Sequence, residues 1–214
     1  MDRSQLLIAL PAFNEEKTIA NIIISILSEY NCRVLVVDDG SHDKTALISK
    51  KSGATVISHP HNLGYESALN TAYLYADDRN FKKIIFFDAD GEHPIDELAN
   101  IDSLLNETLC IVGNRSKKNR IAESIASLYC KYSNGFFDPY CGLKGYNISR
   151  INALSLHVSP GDKIGTSAAI NLARTSKKFV RNLDIKTQKR NGYSRFSSSL
   201  IKSNILLLKN IFTE

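Results

Sequence analysis

The chain lacks several features that would assign it to a class at once. No apolar run approaches the roughly 20 residues that a membrane-spanning helix needs. The apolar stretch 6–10 is too short for a signal peptide and is followed by Pro11. The 4 cysteines are scattered, without the paired spacing of a zinc site or a dithiol motif. These absences predict a cytoplasmic protein with reduced cysteines that serve as packing residues.

Neither charge nor composition is extreme. A chain of 214 residues fits one domain with a substantial core, and 43% hydrophobic with 23% charged residues is ordinary for such a domain. The formal net charge of +5 permits an anionic substrate or an anionic membrane surface, although a solvated basic face explains it equally well. We expect no nucleic-acid partner.

Short apolar runs alternate with segments of helical spacing. Strands are predicted at residues 6–10, 34–37, 55–58, 84–87 and 111–113, and helices at 15–28, 44–51 and 65–76, with another starting near Pro94. This alternation, which no repeat or low-complexity segment interrupts, predicts an α/β fold. We expect a mostly parallel central sheet with helices on both faces, forming three layers in a single domain.

The triplet Asp88-Ala89-Asp90 directly follows the apolar run 84–87. Side chains alternate along an extended chain, so Asp88 and Asp90 can point to the same side and reach one divalent ion. Carboxylate oxygens suit Mg²⁺ or Mn²⁺, which commonly also bind a substrate diphosphate. An ordinary acidic turn after a strand is the alternative interpretation.

Two other polar clusters follow predicted strands, at residues 11–15 and 38–41. In open parallel sheets, ligands bind beyond the carboxyl ends of the strands. Each cluster alone is also typical of a turn or a helix cap. Together with residues 88–90, however, they predict one binding site at this edge of the sheet.

Several ordered motifs carry a family resemblance. They are Leu-Pro-Ala-Phe-Asn-Glu-Glu (10–16), Val-Val-Asp-Asp-Gly-Ser (36–41), Asn-Leu-Gly-Tyr-Glu-Ser-Ala-Leu-Asn-Thr-Ala (62–72) and Phe-Asp-Ala-Asp-Gly-Glu-His-Pro (87–94), followed more loosely by 113–115, 138–143 and 190–196. This series resembles family 2 glycosyltransferases of the GT-A fold, and most closely the dolichyl- or polyprenyl-phosphate sugar transferases. The resemblance implies a Rossmann-like GT-A domain over residues 1–214. Residues 1–113 would form its nucleotide-binding half, and 114–214 its acceptor-binding half with a C-terminal helix.

The resemblance also implies a binding site for a nucleoside-diphosphate sugar, with UDP or GDP as the nucleotide. Pro11, Ala12 and Glu15 would contact the base and ribose. Asp39 would accept a hydrogen bond from the base or its sugar, since a carboxylate is only an acceptor. Gly64 would allow the backbone to approach the nucleotide closely.

The same resemblance assigns the metal and the diphosphate. Asp88, Asp90 and Glu92 would hold Mg²⁺ or Mn²⁺, with Asp88 also facing the ribose. The ion would neutralise the departing diphosphate. Arg190 and Arg195 would close over that diphosphate, although a solvated basic loop is the alternative.

The acceptor is implied less directly. Arg115 occupies the position where relatives hold the acceptor phosphate, and it is predicted to be catalytic together with Asp88 and Asp90. Arg120 and Lys131 would assist on the next helix. A lipid phosphate needs no general base, whereas a hydroxyl acceptor does. Asp162 is then the candidate base, because Ser167 stands near the carboxylate that is usual in the family.

The implied function is an inverting, metal-dependent transfer to a polyprenyl or dolichyl phosphate or a cell-envelope glycan. Apolar residues recur at helical spacing over 200–212, so this tail could lie on the inner face of a membrane. Packing against the domain, or against a second subunit in a homodimer, is the alternative. A haloacid-dehalogenase-like phosphatase and a non-catalytic sugar-nucleotide-binding protein are the rival functions. In that phosphatase class, Asp-x-Asp-Gly normally lies near the chain start and Thr or Val follows it, whereas Glu92 follows here.

Overall fold

A single mixed sheet forms the centre of the molecule in the computed structural model, which describes residues 5–116, 121–136, 138–156 and 163–186. Its strands are β1 (Leu6–Ala12), β2 (Arg33–Asp38), β3 (Thr55–Ser58), β4 (Lys83–Phe86), β5 (Cys110–Arg115), β6 (Lys144–Asn147) and β7 (Val180–Ile185). Their spatial order is β3-β2-β1-β4-β6-β5-β7. Strand β6 runs antiparallel to β4 and β5, while the other pairings are parallel.

Helices cover both faces of this sheet. They are α1 (Ile19–Glu29), α2 (Thr45–Lys51), α3 (Tyr65–Asp78), α4 (Glu97–Leu104), α5 (Ile121–Ser133), α6 (Ile148–Ala153) and α7 (Ser167–Thr175), with a 3-10 turn at Lys177–Phe179. One core contains buried residues of α3, α5, α6 and α7, and the other contains those of α1 and α4. The predicted three-layer α/β architecture is therefore confirmed.

Strand β4 illustrates how the sequence builds two cores from one sheet. Ile84 and Phe86 belong to the core under α3 and α7, whereas Ile85 and Phe87 belong to the core under α1 and α4. Successive side chains of a strand point to opposite faces, so a continuous apolar run is what a strand buried on both faces requires. Asp88 follows at the point where this run reaches the edge of the sheet.

The predicted elements differ from the structure mainly at their ends and in the second half. Helix α1 begins at Ile19 rather than at residue 15. The residues before it form a turn in which the Thr18 N–H donates to the Glu15 carbonyl at 3.1 Å. Helix α4 begins at Glu97, three residues after Pro94. The sequence interpretation missed β6, α6, α7 and β7.

The polar character of β6 explains why it escaped notice. Its four residues, Lys-Gly-Tyr-Asn, contain no apolar run, yet all four are buried. Gly145 lies against α4, where a Cβ would come within 2.6 Å of the Ile101 side chain.

Over the described part of the chain, no helix combines the length and apolarity required to cross a membrane.

Candidate active site

The loops after β1, β2 and β4 meet at one edge of the sheet. The Asp39 N–H donates to the Ala12 carbonyl at 2.8 Å, which ties the β2 loop to the end of β1. The Thr18 hydroxyl donates to the Ala89 carbonyl at 2.7 Å, which ties the β1 loop to the acidic triplet. The three polar clusters singled out in the sequence are therefore neighbours in the structure.

Asp39 is buried and organises a fourth loop at this edge. Its Oδ1 lies 2.7 Å from His59 Nδ1 and accepts the Leu63 N–H at 2.9 Å. Its Oδ2 accepts the Gly64 N–H at 2.9 Å. Gly64 has a φ of 98°, a conformation that L side chains rarely adopt, so glycine is required where α3 begins. In this structure Asp39 shapes the loop, and its contact with a nucleotide stays a prediction.

The other residues predicted to contact the nucleotide lie beside Asp39. Pro11 and Ala12 are buried at the end of β1. Glu15 is half-buried in the following loop, where its Oε2 accepts the Thr18 hydroxyl at 3.2 Å. The exposed part of this block is thus the loop after Ala12 rather than the strand end itself.

Asp88 is held by two side chains, one from α3 and one from the loop after β4. Its Oδ1 accepts the Tyr65 hydroxyl at 2.9 Å, and its Oδ2 lies 3.3 Å from His93 Nε2. Burial raises the pKa of Asp88, but His93, Tyr65 and the nearby Lys144 outweigh burial, so the pKa lies below its usual range. A Cβ on Gly142 would overlap the Asp88 carboxylate, so the chain at Gly142 closes directly over it.

Asp90 and Glu92 share the short loop that follows. Both are half-buried, and Asp90 Oδ1 accepts the Glu92 N–H at 3.0 Å. Among the described residues, no three His, Cys, Asp or Glu side chains are grouped as a metal site. The three predicted metal ligands therefore lie in one loop, but their side chains do not form such a group.

Arg115 lies at the end of β5, in contact with acids. Its Nε donates to Asp138 Oδ2 at 2.8 Å, and its Nη2 donates to Asp138 Oδ1 at 3.1 Å and to Glu123 Oε2 at 3.4 Å. Burial lowers the pKa of Arg115, but Asp138 and Glu123 outweigh burial and raise it above its usual range. The Arg115 side chain is 10% exposed and paired with acids, and its contact with an acceptor phosphate stays a prediction.

Several predicted site residues lie outside the described part of the chain: Arg120, Asp162, Arg190, Arg195 and the tail 200–212. Lys131 is exposed on α5, and it lines a groove of about 350 Å³ together with Arg115. Ser167 is buried at the start of α7.

The sequence interpretation missed Lys144, a lysine buried to 2% exposure at the start of β6. Its ammonium donates to the Cys141 carbonyl and is one of the charges that lower the pKa of Asp88. A lysine next to the motif 138–143 was the available signal, but only the fold brings it near enough to lower the pKa of Asp88. The hydrogen bond from the Tyr65 hydroxyl to Asp88 was missed for the same reason.

Comparisons with known proteins agree with this geometry. The family model for glycosyl transferase family 2 matches residues 7–148. The chain is 42% identical over 93 residues to an uncharacterized protein of Methanocaldococcus jannaschii, and the match spans 44% of this chain and 38% of that relative. It is 25% identical over 209 residues to the UDP-N-acetylglucosamine–dolichyl-phosphate N-acetylglucosaminyltransferase of Methanococcus voltae, covering 83% of both chains.

The fold also has a solved counterpart. Glucosyl-3-phosphoglycerate synthase from Mycobacterium tuberculosis, in complex with Mn²⁺, UDP-glucose and phosphoglyceric acid, superposes with a TM-score of 0.73 at 19% identity. The match covers 97% of this chain and 79% of that structure. The expected GT-A fold is thereby confirmed, and the rival phosphatase and non-catalytic interpretations are not favoured. Since the family model matches well over half of its residues, the chain belongs to glycosyl transferase family 2.

Proposed function

We propose that this chain is an inverting, divalent-metal-dependent glycosyltransferase that moves a sugar from a UDP- or GDP-sugar to a polyprenyl or dolichyl phosphate. The observation that carries the proposal is the loop Asp88-Ala89-Asp90, which leaves the carboxyl edge of the sheet in a family 2 chain. The Methanococcus voltae relative, named for a UDP-sugar donor and a dolichyl-phosphate acceptor, supports this choice of substrates.

The donor atoms in this loop fit Mg²⁺ or Mn²⁺. Asp88 is kept ionised by its low pKa, and hard oxygen ligands are what these ions prefer. Asp90 and Glu92 would hold the ion together with Asp88. Mg²⁺ is usually bound by one or two carboxylates plus substrate phosphates, so a complete cage of side chains is not required. The bound ion would neutralise charge on the departing diphosphate.

The remaining steps follow from the chain's own residues. The loop organised by Asp39 would seat the nucleotide at the ends of β1 and β2, and Arg190 and Arg195 would contact the diphosphate. An acceptor phosphate oxygen would bond to the anomeric carbon as the bond from that carbon to the diphosphate breaks, and the nucleoside diphosphate would leave with the electron pair. The acceptor oxygen is already anionic, so no side-chain base is needed.

The two halves of the chain would divide this work. Residues 1–113 would bind the nucleotide, and 114–214 would bind the acceptor, with Arg115 at the boundary. Peripheral contact with the inner face of a membrane would bring the enzyme to a lipid acceptor.

The proposal is tested by measuring nucleoside-diphosphate release from UDP-N-acetylglucosamine, UDP-glucose and GDP-mannose with Mn²⁺ or Mg²⁺. Polyprenyl phosphate is the acceptor, and the corresponding polyprenol is the matched control without a phosphate. We expect a glycosylated lipid of inverted anomeric configuration only with the phosphate, and no product after chelation. Turnover with polyprenol or an oligosaccharide instead would identify a hydroxyl acceptor. Hydrolysis of small phosphoesters without sugar transfer would restore the phosphatase interpretation.

A further inference from the structure

Helix α5 buries its small residues and exposes its large apolar ones. Its buried residues are Ala122, Glu123, Ala126 and Cys130. Its exposed apolar residues are Ile121, Ile125, Leu128 and Tyr132, at 76%, 44%, 57% and 71% exposure. A surface helix of a globular protein normally has the opposite arrangement, with its large apolar residues toward the core.

The four exposed residues form one narrow stripe, which we call the α5 stripe. They are spaced by four, three and four positions, so at about 100° per residue they fall within about 60° of the helix circumference. The buried residues of α5 occupy the opposite side. The stripe therefore points away from the core, and contiguous exposed apolar surface of this kind marks an interaction site.

Positive charges flank one end of the α5 stripe. Lys131 Nζ lies 5.8 Å from the centroid of the Tyr132 ring, and Lys177 Nζ donates to the Tyr132 carbonyl at 3.3 Å. Both lysines are exposed. The one acid in the α5 sequence, Glu123, is buried and accepts a hydrogen bond from Arg115. The outward side of the helix thus presents apolar and cationic groups without a carboxylate.

The stripe also borders the end of the sheet that carries the candidate site. The groove of about 350 Å³ is lined by Leu128 and Lys131 on α5 and by Arg115 at the end of β5. A surface that covered the α5 stripe would therefore lie next to the mouth of this groove.

We propose that the α5 stripe is a docking surface for an anionic lipid bilayer. Its apolar side chains would enter the boundary between headgroups and acyl chains, while Lys131 and Lys177 contact anionic headgroups. This assigns the membrane contact to α5 rather than to the tail 200–212. The inference does not rest on the proposed acceptor, because it concerns binding to phospholipid without any sugar nucleotide or polyprenyl phosphate.

Flotation of the full chain with vesicles tests this surface. We expect binding to mixed phosphatidylcholine and phosphatidylglycerol vesicles, weaker binding to phosphatidylcholine alone, and loss of binding at high salt. The triple variant Ile121→Ser/Leu128→Ser/Tyr132→Ser should reduce the partition coefficient by at least about tenfold, which corresponds to 1.4 kcal/mol. Wild-type protein that does not float, or a triple variant that floats like wild type, would overturn the proposal.

A matched control separates the α5 stripe from general surface hydrophobicity. Ile24, Leu47 and Leu154 are 55%, 52% and 51% exposed on other helices or their ends. Their combined replacement by Ser removes three exposed apolar side chains as well, and it should leave vesicle binding unchanged. If this control lost binding as strongly as the stripe variant, the α5 assignment would be wrong.

A fluorescent probe tests which partner covers the stripe. The chain contains no tryptophan, so Leu128→Trp introduces a single reporter, and Leu47→Trp is its control. Emission from position 128 should be that of an exposed indole and should shift to the blue only when anionic vesicles are added. A blue-shifted emission before vesicles are added would overturn the proposal. Concentration dependence of that shift would then indicate a second copy, and independence of concentration would indicate another part of the same chain.

Discussion

Asp88 and Asp90 lie two residues apart but have different surroundings. Asp88 contacts the Tyr65 hydroxyl on α3 and His93 further along its own loop. Asp90 accepts the N–H of Glu92 within the loop itself. A carboxylate that contacts two other side chains keeps one orientation, so we expect Asp88 to be a rigid group. The assignment of Asp90 as the main metal ligand stays a prediction.

Asp90→Asn should abolish sugar transfer while the protein stays folded. The substitution removes the charge that we assign to metal binding, an effect worth several kcal/mol, so turnover should fall by more than about hundredfold. Asp96→Asn is the control, because Asp96 is an exposed acid nearby whose side chain makes no cap hydrogen bond to α4. Near wild-type turnover of Asp90→Asn in a nucleoside-diphosphate release assay would rule out the metal assignment.

Gly142→Ala should lower the turnover of the molecules that stay folded, and not only the amount of folded protein. The added methyl group would overlap the Asp88 carboxylate, so either Asp88 or the loop around Gly142 must move. Gly145→Ala is the comparison, because its Cβ meets Ile101 in the core instead. Turnover per folded molecule should fall in Gly142→Ala and change little in Gly145→Ala. Equal turnover in the two variants would mean that Gly142 does not position Asp88.

At the scale of elements, the start of α2 is tied to the β1 loop by one carboxylate. Asp43 Oδ1 accepts the Thr45 N–H at 2.9 Å, and its Oδ2 accepts the Glu16 N–H at 3.2 Å. Partial burial raises the pKa of Asp43, but its hydrogen bonds with Thr45 and Glu16 outweigh burial and lower it below the usual 3.8. The ionised form is therefore the one that the fold stabilises.

Asp43→Ala should destabilise the protein by roughly 1 kcal/mol at neutral pH. Because the folded-state pKa is depressed, this contribution is fully present above the unfolded-state value and is lost as the pH falls through the folded-state value. The difference in unfolding free energy should therefore shrink below a pH of about 3.8. Urea unfolding at several pH values measures it, with the exposed Asp78→Ala as control. A difference that grew toward acid pH would contradict this sign.

Arg115 connects three elements: the end of β5, helix α5 through Glu123, and the loop at Asp138. Asp138 has a side-chain exposure of 0%, so Arg115→Ala leaves a buried charge without its main partner. Such losses cost about 3–5 kcal/mol, which urea unfolding would detect. The double variant Arg115→Ala/Asp138→Asn should recover part of that stability.

The acceptor role of Arg115 predicts a separate kinetic effect. In the fraction that stays folded, Arg115→Ala should raise the KM for polyprenyl phosphate far more than the KM for the sugar nucleotide. Equal increases in the two KM values would indicate that the residue acts only through the fold.

At the scale of the molecule, the antiparallel strand β6 changes which residues lie at the candidate-site edge of the sheet. β6 enters the sheet between β4 and β5 from the edge that carries the candidate site. Gly142, two residues before this strand begins, therefore lies against the Asp88 carboxylate. Lys144, the first residue of β6, is near enough to lower the pKa of Asp88. If β6 ran parallel to its neighbours, its last residue rather than its first would lie at this edge.

Because loops from β1, β2 and β4 share this edge, a nucleotide bound there should stabilise the whole fold. UDP with Mn²⁺ at about a hundredfold excess over Kd should add ~2.7 kcal/mol. For a chain of this size, that raises Tm by about 5–10 °C. Asp39→Ala should reduce the shift, since it removes the acceptor for the Leu63 and Gly64 N–H groups. A full shift in Asp39→Ala would remove Asp39 from the nucleotide site.

The sequence by itself determined the features that depend on local pattern. Apolar runs and helical spacing predicted the strands up to β5, with the acids of residues 38–39 and 88–90 at their ends. Because the strands of such alternating chains run parallel, their carboxyl ends lie at the same edge of the sheet. The motifs along this half were sufficient to indicate the family.

Only the tertiary structure decided which of those groups are paired. Arg115 meets Asp138, 23 positions away, and Asp39 meets Gly64, 25 positions away. Contacts across such separations depend on how the chain returns to the sheet, and β6 returns against the direction of its neighbours. The outward direction of the α5 stripe is decided in the same way, because periodicity locates an apolar face but packing determines whether the core covers it.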